Sequence, residues 1–532
     1  MLAKSRLALA VAMLSASTAA AQGTAAPPPN FDAYVERVIK TFDVPGVAVA
    51  IVKDGRVVLA KGYGVRTLGK PDRVDGDTRF GIASNTKIFT ASAIAMLVEA
   101  GKLEWDAPVI RYLPDFAMYD PFVTRELTVR DLLVHRSGLG LGAGDLLWWP
   151  ASTYDRAEIA RRLRYIKPAT SFRSAYAYDN VLYLVAGQLI EKMSGMSWEE
   201  FVRTRIIVPV GMTSSTVRHA DAANGGNVAT THAEVNGTVR PIAPMVSDNT
   251  NPAGGINASA TDMAKWMIVQ MDSGRIAAAS AGVPERRLFT PASTRQLWSI
   301  VTPLAVGPRT ISGFEHLRPN LRGYALGLGV SDYRGSLQLQ HSGGLPGYVS
   351  LVTMIPGKRL GVVVLTNQES GEAFNAITLR AIDAGLDAPE LDYLGLFAAQ
   401  RDTGRMRLAA ANNRAAAARD SMSGPSLPLA KFAGRYADQW YGDVGIAMEG
   451  RGLVMRFGHT PQLVGDMIHW QHDSFLVKWR DRELRADAYA TFALNPDGTI
   501  DQVKMAPASD DVDFSFDFQD LLLRPAPPER KP

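Results

Sequence analysis

The chain has 532 residues, of which 46% are hydrophobic and 21% charged, the balance of an ordinary globular protein with length for more than one domain. Lys plus Arg total 57 and Asp plus Glu 53, and the resulting net charge of +4 is too weak a field over this length to point to nucleic acid. The lack of cysteine excludes disulfides, thiolate nucleophiles, Cys-ligated zinc and iron–sulfur clusters.

Taken in chain order, Lys4 and Arg6 precede an apolar run over 7–14, and Ala19, Ala20 and Ala21 supply small residues before Gln22. This pattern predicts a cleaved secretory signal peptide over 1–21, and its apolar run is too short to cross about 30 Å of hydrocarbon. The expected product is an exported protein, periplasmic or secreted, without stable membrane insertion, and two of the four net positive charges leave with the leader. A Pro-rich tether over 22–29 follows. Phe31, Tyr34, Val35, Val38 and Phe42 at helical spacing predict a helix over 31–42. The β-rich runs 47–52 and 57–62 flank Lys53-Asp54-Gly55-Arg56 and predict a hairpin. A second helix starts near Ser84 and runs through Ile88, Ala91, Ile94 and Leu97 to Gly101. Residues 105–300 read as helices and loops. Strands are predicted over 337–340, 349–355 and 362–366, the last two joined by the turn Pro356-Gly357-Lys358-Arg359, and a helix over 373–386. Strands at both ends with helices between imply a sheet assembled from distant segments.

The composition shifts after 392. An Ala- and Arg-rich helix is expected over 403–420, then a linker over 423–428. Short strands are predicted at 444–448, 453–457, 474–479, 490–494 and 514–518, the last from Phe514, Phe516 and Phe518 alternating with polar residues. The domain reading is a leader over 1–21, a catalytic-type domain over 22–392, a helical connector and linker over 393–424, and a small β-domain over 425–532, a barrel or sandwich.

Three short motifs carry chemistry. Ser84-Asn85-Thr86-Lys87 places a serine and a lysine one turn apart on a helix start, where a lysine can assist deprotonation of the hydroxyl. Tyr178-Asp179-Asn180 precedes an apolar helix. A nearby ammonium such as Lys87 would favour the Tyr178 phenolate as a second base, and Asn180 would orient Lys87 and bond a substrate amide. His341-Ser342-Gly343-Gly344 ends a strand, where the glycines admit a substrate backbone, the Gly344 N–H joins that of Ser84 in an oxyanion hole, and His341 adds a positive or hydrogen-bonding group. No G-x-S-x-G, H-E-x-x-H or nucleotide-binding fingerprint is present.

In this order the motifs resemble the penicillin-recognising serine hydrolases, most of all the class C β-lactamase-like branch with Y-x-N. The resemblance runs over about 31–390. It includes Leu132-Leu133-Val134-His135-Arg136-Ser137-Gly138-Leu139, in which His135 is read as structural, and Pro252-Ala253-Gly254-Gly255-Ile256 followed by Asp262-Met263-Ala264. It implies an α/β domain with an antiparallel sheet packed on a helical subdomain. It also implies an acyl-enzyme at Ser84, with Lys87 and Tyr178 sharing the base role and no metal or organic cofactor. The C-terminal part, with Tyr436, Tyr441-Gly442 and His469-Trp470, resembles a lipocalin-like domain.

Two features depart from the pattern. Ser247-Asp248-Asn249 is a literal S-D-N and competes with Tyr178, though it follows a Pro-broken segment. The third motif is H-S-G where many members carry K-T-G, and an imidazole holds a substrate carboxylate less firmly than an ammonium. The expected activity is therefore an exported serine hydrolase on a peptide or small molecule, a D-amino-acid-type or carboxypeptidase or an esterase ahead of a β-lactamase. The reading from another class is a catalytically silent sensor or assembly protein. Self-association through the β-domain is a further expectation. Trp148, Trp149, Trp440, Tyr441 and Trp470 are candidates for contacts or for core packing.

Overall fold

In the computed structural model, the described residues are 26–221, 225–277, 285–308 and 310–527. The predicted signal peptide lies outside them.

Strand Gly46–Lys53 is buried along nearly its whole length because helices cover both faces of its sheet. Val47, Val49 and Ile51 face Phe31, Tyr34, Val35 and Val38 of helix Phe31–Thr41 and Ala373, Ala376 and Ile377 of helix Gly371–Gly385. Ala48, Ala50 and Val52 face the other core, which contains Met263, Ala264 and Met267 of helix Ala260–Met271. Alternate residues of a strand point to opposite faces, so a strand covered on both sides reads as an unbroken apolar run. Helix Lys87–Glu99 lies deeper, buried on nearly every side with Lys87, Thr90 and Ser92 as its buried polar residues, its Phe89 ring stacked on Trp266 at 4.1 Å.

The sheet has eight antiparallel strands. Their spatial order is Arg56–Gly64, Gly46–Lys53, Leu360–Thr366, Tyr348–Ile355, Ser336–Leu345, Gly329–Tyr333, Arg322–Tyr324 and Thr302–Pro303. The N-terminal hairpin thus pairs with the last strand of this domain, Val49 opposite Val364, as the sequence pattern implied. One difference matters for the site. Strand Ser336–Leu345 continues through the H-S-G-G motif, while its pairing with Gly329–Tyr333 stops at Gln340. Residues 341–345 therefore have a partner on one side only, strand Tyr348–Ile355.

After helix Tyr393–Ala417 the chain forms a closed barrel of eight antiparallel strands, from Gly434–Asp438 to Leu522–Pro525, consistent with the lipocalin-like barrel expected. Its interior is filled by aromatic rings: Phe432 meets Phe475 and Phe492 at 5.1 and 4.8 Å, and Trp479 stacks on Phe518 at 5.7 Å. Trp440 and Tyr441 are buried packing residues, and Trp470 lies half-buried beneath the Arg419 guanidinium.

The strand predicted over 514–518 is not a strand. These residues belong to the loop between strands Ile500–Pro507 and Leu522–Pro525, ending in a 3-10 turn at Phe518–Asp520. The alternation has another cause. Phe516 and Phe518 stack on each other and plug the barrel, while Ser515 and Asp517 bond to the catalytic-type domain. The two parts also meet through Tyr154, whose hydroxyl donates to the Tyr441 carbonyl, and through the ion pairs Arg485–Glu369 and Arg240–Glu483.

Candidate active site

A single 3-10 turn, Ala83–Thr86, leads into helix Lys87–Glu99 and presents Ser84. Ala83 is held at φ 49°, the left-handed region that a Cβ disfavours. The surroundings fix this geometry: Ser350 Oγ donates to the Ile82 carbonyl at 2.8 Å and accepts from Asn85 Nδ2 at 2.8 Å. Strand Tyr348–Ile355 thus clamps the turn on both sides of the serine.

Lys87 is wholly buried, and its Nζ lies 2.9 Å from Ser84 Oγ, 2.8 Å from Asn180 Oδ1 and 3.1 Å from the Ala253 carbonyl oxygen. Burial pulls its pKa down to about 7, against the opposing pull of Asp145 and Asp179. A neutral amine has two N–H donors and one lone pair. With the donors on Asn180 and Ala253, the lone pair is left for the Ser84 O–H, which is the arrangement of a general base.

Tyr178 interacts with Ser84 through its hydroxyl and places its ring 4.9 Å from Lys87 Nζ. The expected phenolate is corrected by the surroundings. Burial raises the phenol pKa well above its ordinary 10, and Asp145 and Asp179 add to the rise. Tyr178 is therefore a neutral donor, and Lys87 is the group poised near neutral pH. His135 packs beside Tyr178 with ring centroids 4.3 Å apart and the planes tilted by 34°; burial lowers its pKa, so it serves as packing and a hydrogen-bond acceptor for the Asp179 N–H.

His341 also corrects an expectation. Its Nδ1 lies 2.6 Å from the Ser342 carbonyl oxygen and its Nε2 2.8 Å from the Tyr324 hydroxyl. Burial depresses its pKa to about 3, so it is neutral and offers no positive charge to a substrate carboxylate. Gly343 and Gly344 differ in role. A Cβ on Gly343 would lie 2.2 Å from the Ile82 carbonyl oxygen, so this glycine lets the strand approach the serine turn. A Cβ on Gly344 would meet nothing within 4 Å, because that position faces the open cleft.

The cleft holds about 310 Å³ and is lined by Ser84, Tyr178, Asn180, His341 and Gly344, with Trp148 and Trp149 on one wall. Asp513, Phe514 and Ser515 of the barrel loop form another wall, Phe514 set edge-on to the Tyr178 ring at 6.2 Å. A groove of about 690 Å³ adjoins it and shares Trp149, Gly344, Leu345 and Asp513. Ser247 is not among these residues. It is buried, and its hydroxyl donates to the Trp148 carbonyl at 2.8 Å and lies 2.9 Å from Asn249 Oδ1, so the S-D-N triplet builds a turn. Among the described residues no group of three His, Cys, Asp or Glu is placed to hold a metal ion, and no helix is long and apolar enough to cross a membrane.

A family model described as Beta-lactamase matches residues 31–386. The chain belongs to the beta-lactamase family. It has the beta-lactamase and penicillin-binding protein fold, and proteins similar to it include hydrolases. A second model, a domain of unknown function named DUF3471, matches 418–525, the barrel. The unguisins hydrolase ungD' of Aspergillus campestris is 28% identical over 498 residues, covering 89% of this chain and 88% of that protein. Two solved structures share the fold. The octameric penicillin-binding protein homologue of Pyrococcus abyssi is 22% identical with a TM-score of 0.57, over 90% of this chain and 97% of the other. A D-stereospecific amidohydrolase of Streptomyces is 21% identical with a TM-score of 0.52, over 67% of this chain and 98% of the other.

Several residues of this beta-lactamase-family site carry little or no sequence signal. Asp145, Tyr324 and the barrel residues Asp513 and Ser515 belong to no motif, Phe514 stands out only by its alternation with Phe516 and Phe518, and only the folded chain brings them to the cleft.

Proposed function

We propose that this protein hydrolyses an amide or ester bond through an acyl-Ser84 intermediate and that its substrates are peptide-like. The observation that carries this is the buried Lys87 amine, 2.9 Å from Ser84 Oγ and with a pKa of about 7. Lys87 takes the Ser84 proton as Oγ attacks the carbonyl carbon. The N–H groups of Ser84 and Gly344 receive the oxyanion. Tyr178, a neutral phenol, passes a proton toward the leaving group and is re-protonated through Lys87. Water then repeats the sequence on the acyl-enzyme.

Two features support a peptidase, amidase or esterase over a β-lactamase. His341 is neutral, with both ring nitrogens committed, so the H-S-G motif supplies no cation for a β-lactam carboxylate. Residues 341–345 leave one edge unpaired beside the cleft, which suits an extended main chain. The names of two similar proteins, unguisins hydrolase and D-stereospecific amidohydrolase, agree with such substrates. A silent sensor would have no need of a lysine kept buried against the serine. The test is a turnover panel of D-aminoacyl amides, D-Ala-D-Ala peptides, nitrocefin and p-nitrophenyl esters on wild type and Ser84→Ala. Turnover of amides or esters above nitrocefin, lost in the variant, supports the proposal, and nitrocefin as the best substrate overturns it.

Export before Gln22 and self-association through the barrel belong to the same proposal. N-terminal sequencing of the secreted form and light scattering of the purified protein test them: a retained Met1 refutes the first, and a strict monomer the second.

A further inference from the structure

The carboxylate of Asp145 is completely buried and takes no part in the chemistry above. Its Oδ2 accepts from Asn180 Nδ2 at 2.8 Å and from the barrel's Ser515 Oγ at 2.9 Å, and its Oδ1 accepts from Trp148 Nε1 at 2.9 Å. The barrel holds the backbone on both sides of it as well, since Asp517 accepts from Gly144 N at 2.7 Å and from Leu146 N at 2.9 Å. In its ionised form the Asp145 carboxylate only accepts hydrogen bonds, so Asn180 presents its NH₂ to Asp145 and its carbonyl oxygen to Lys87. The polarity of each bond sets the next: the Ser515 hydroxyl donates to Asp145, Asp145 fixes the turn of the Asn180 amide, and Asn180 Oδ1 draws an N–H of Lys87, which leaves the lone pair for Ser84.

We infer that Ser515 of the C-terminal barrel is a positioning residue for the reaction, acting through Asp145 and Asn180 on Lys87, so that the barrel is part of the catalytic device. This rests on the proposed role of Lys87 as the base. The second observation is that Asp145 and Lys87 are both displaced toward neutrality by burial, Asp145 upward to about 7 and Lys87 downward to about 7, so each charge depends on the other. The other ionisable groups around the pair are Asp179, His135, Tyr178, Tyr183 and His341, with Asp517 and Asp513 from the barrel; burial raises the Asp513 pKa, and Asp513 accepts from the Ser515 N–H and also interacts with its hydroxyl. Only the Ser515 hydroxyl brings a barrel side chain as a donor to Asp145 among the described residues.

Removing that hydroxyl withdraws a donor from the carboxylate. The Asp145 pKa then rises, Lys87 loses counter-charge and its own pKa falls. A less basic lysine is free of its proton at lower pH but takes the serine proton less readily. For Ser515→Ala the expected result is a plateau kcat about tenfold lower and an acid limb of kcat/KM moved down by about 0.5 in pH, with Ser515→Thr close to wild type on both. The Lys87 titration is also read without substrate, from the ¹³Cε signal of lysine-labelled full-length protein, assigned with Lys87→Arg. It moves down in Ser515→Ala and returns in Ser515→Thr. Unchanged pH limb and Lys87 titration in Ser515→Ala overturn the inference, as does a loss of rate that Ser515→Thr does not restore. A wild type that is never acylated at Ser84 refutes the hydrolase reading, and the lysine titration still decides the coupling.

Discussion

Lys87 Nζ lies 2.9 Å from Ser84 Oγ while the whole lysine side chain is shut off from solvent. An ammonium in such a place has lost its hydration, and this brings its pKa close to neutral pH. Lys87→Met removes the lone pair that accepts the serine proton. The acylation rate should fall by about 10²–10⁴, the usual contribution of a general base. Lys87→Arg should not recover it, because a guanidinium keeps its proton. Stopped-flow acylation with a p-nitrophenyl ester checks both.

The pH profile follows with a definite sign. Lys87 acts as base only when neutral, so kcat/KM should rise with pH through an acid limb near about 7 that belongs to the coupled Lys87–Asp145 pair, and level off above it. The Tyr178 phenol and the His341 imidazole titrate outside the working range, the first well above 10 and the second at about 3, so neither should add a limb between pH 5 and 9. A rate profile over that range against a neutral ester is the measurement.

Tyr178 and Ser247 separate a residue of the site from its textual rival. Tyr178→Phe should cost about 10²-fold in kcat with little change in melting temperature, as the ring packing beside His135 stays. Ser247→Ala should leave kcat within about twofold and lower stability by about 1–3 kcal/mol, since its buried bond to the Trp148 carbonyl is lost. Kinetics and thermal unfolding of the two variants give the comparison.

Much of this could be read from the sequence and some could not. The S-x-x-K, Y-x-N and H-x-G residues do gather around one cleft, and the hairpin 47–62 and strands 349–366 do form one sheet, because periodicity and tight turns are local properties. Protonation states were not legible. Tyr178 is a phenol and His341 is neutral because of burial by residues distant in sequence, Tyr324 among them. The pattern over 514–518 predicts a strand and forms a loop, since alternation shows that two sides face different surroundings and does not show that the backbone is extended. Here one side plugs a barrel and the other reaches Asp145, 370 positions earlier in the chain.

The glycine pair gives opposite outcomes for one substitution. Gly343→Ala forces a methyl to within 2.2 Å of the Ile82 carbonyl oxygen, and the strand or the serine turn must shift. Overpacking of this kind costs about 1–3 kcal/mol, and activity should fall with it. Gly344→Ala enters open space, so its melting temperature should match wild type while kcat/KM for bulky substrates drops. Unfolding curves and a substrate-size series on both variants check this.

The central claim is that Ser84 is a nucleophile activated by Lys87. The most direct measurement is intact-mass and peptide-mapping mass spectrometry after treatment with a fluorophosphonate at pH 8. The account predicts one adduct, on the peptide that contains Ser84, absent in Ser84→Ala and much slower to form in Lys87→Met. An unmodified wild type between pH 6 and 9, or an adduct mapped to another serine, would contradict it.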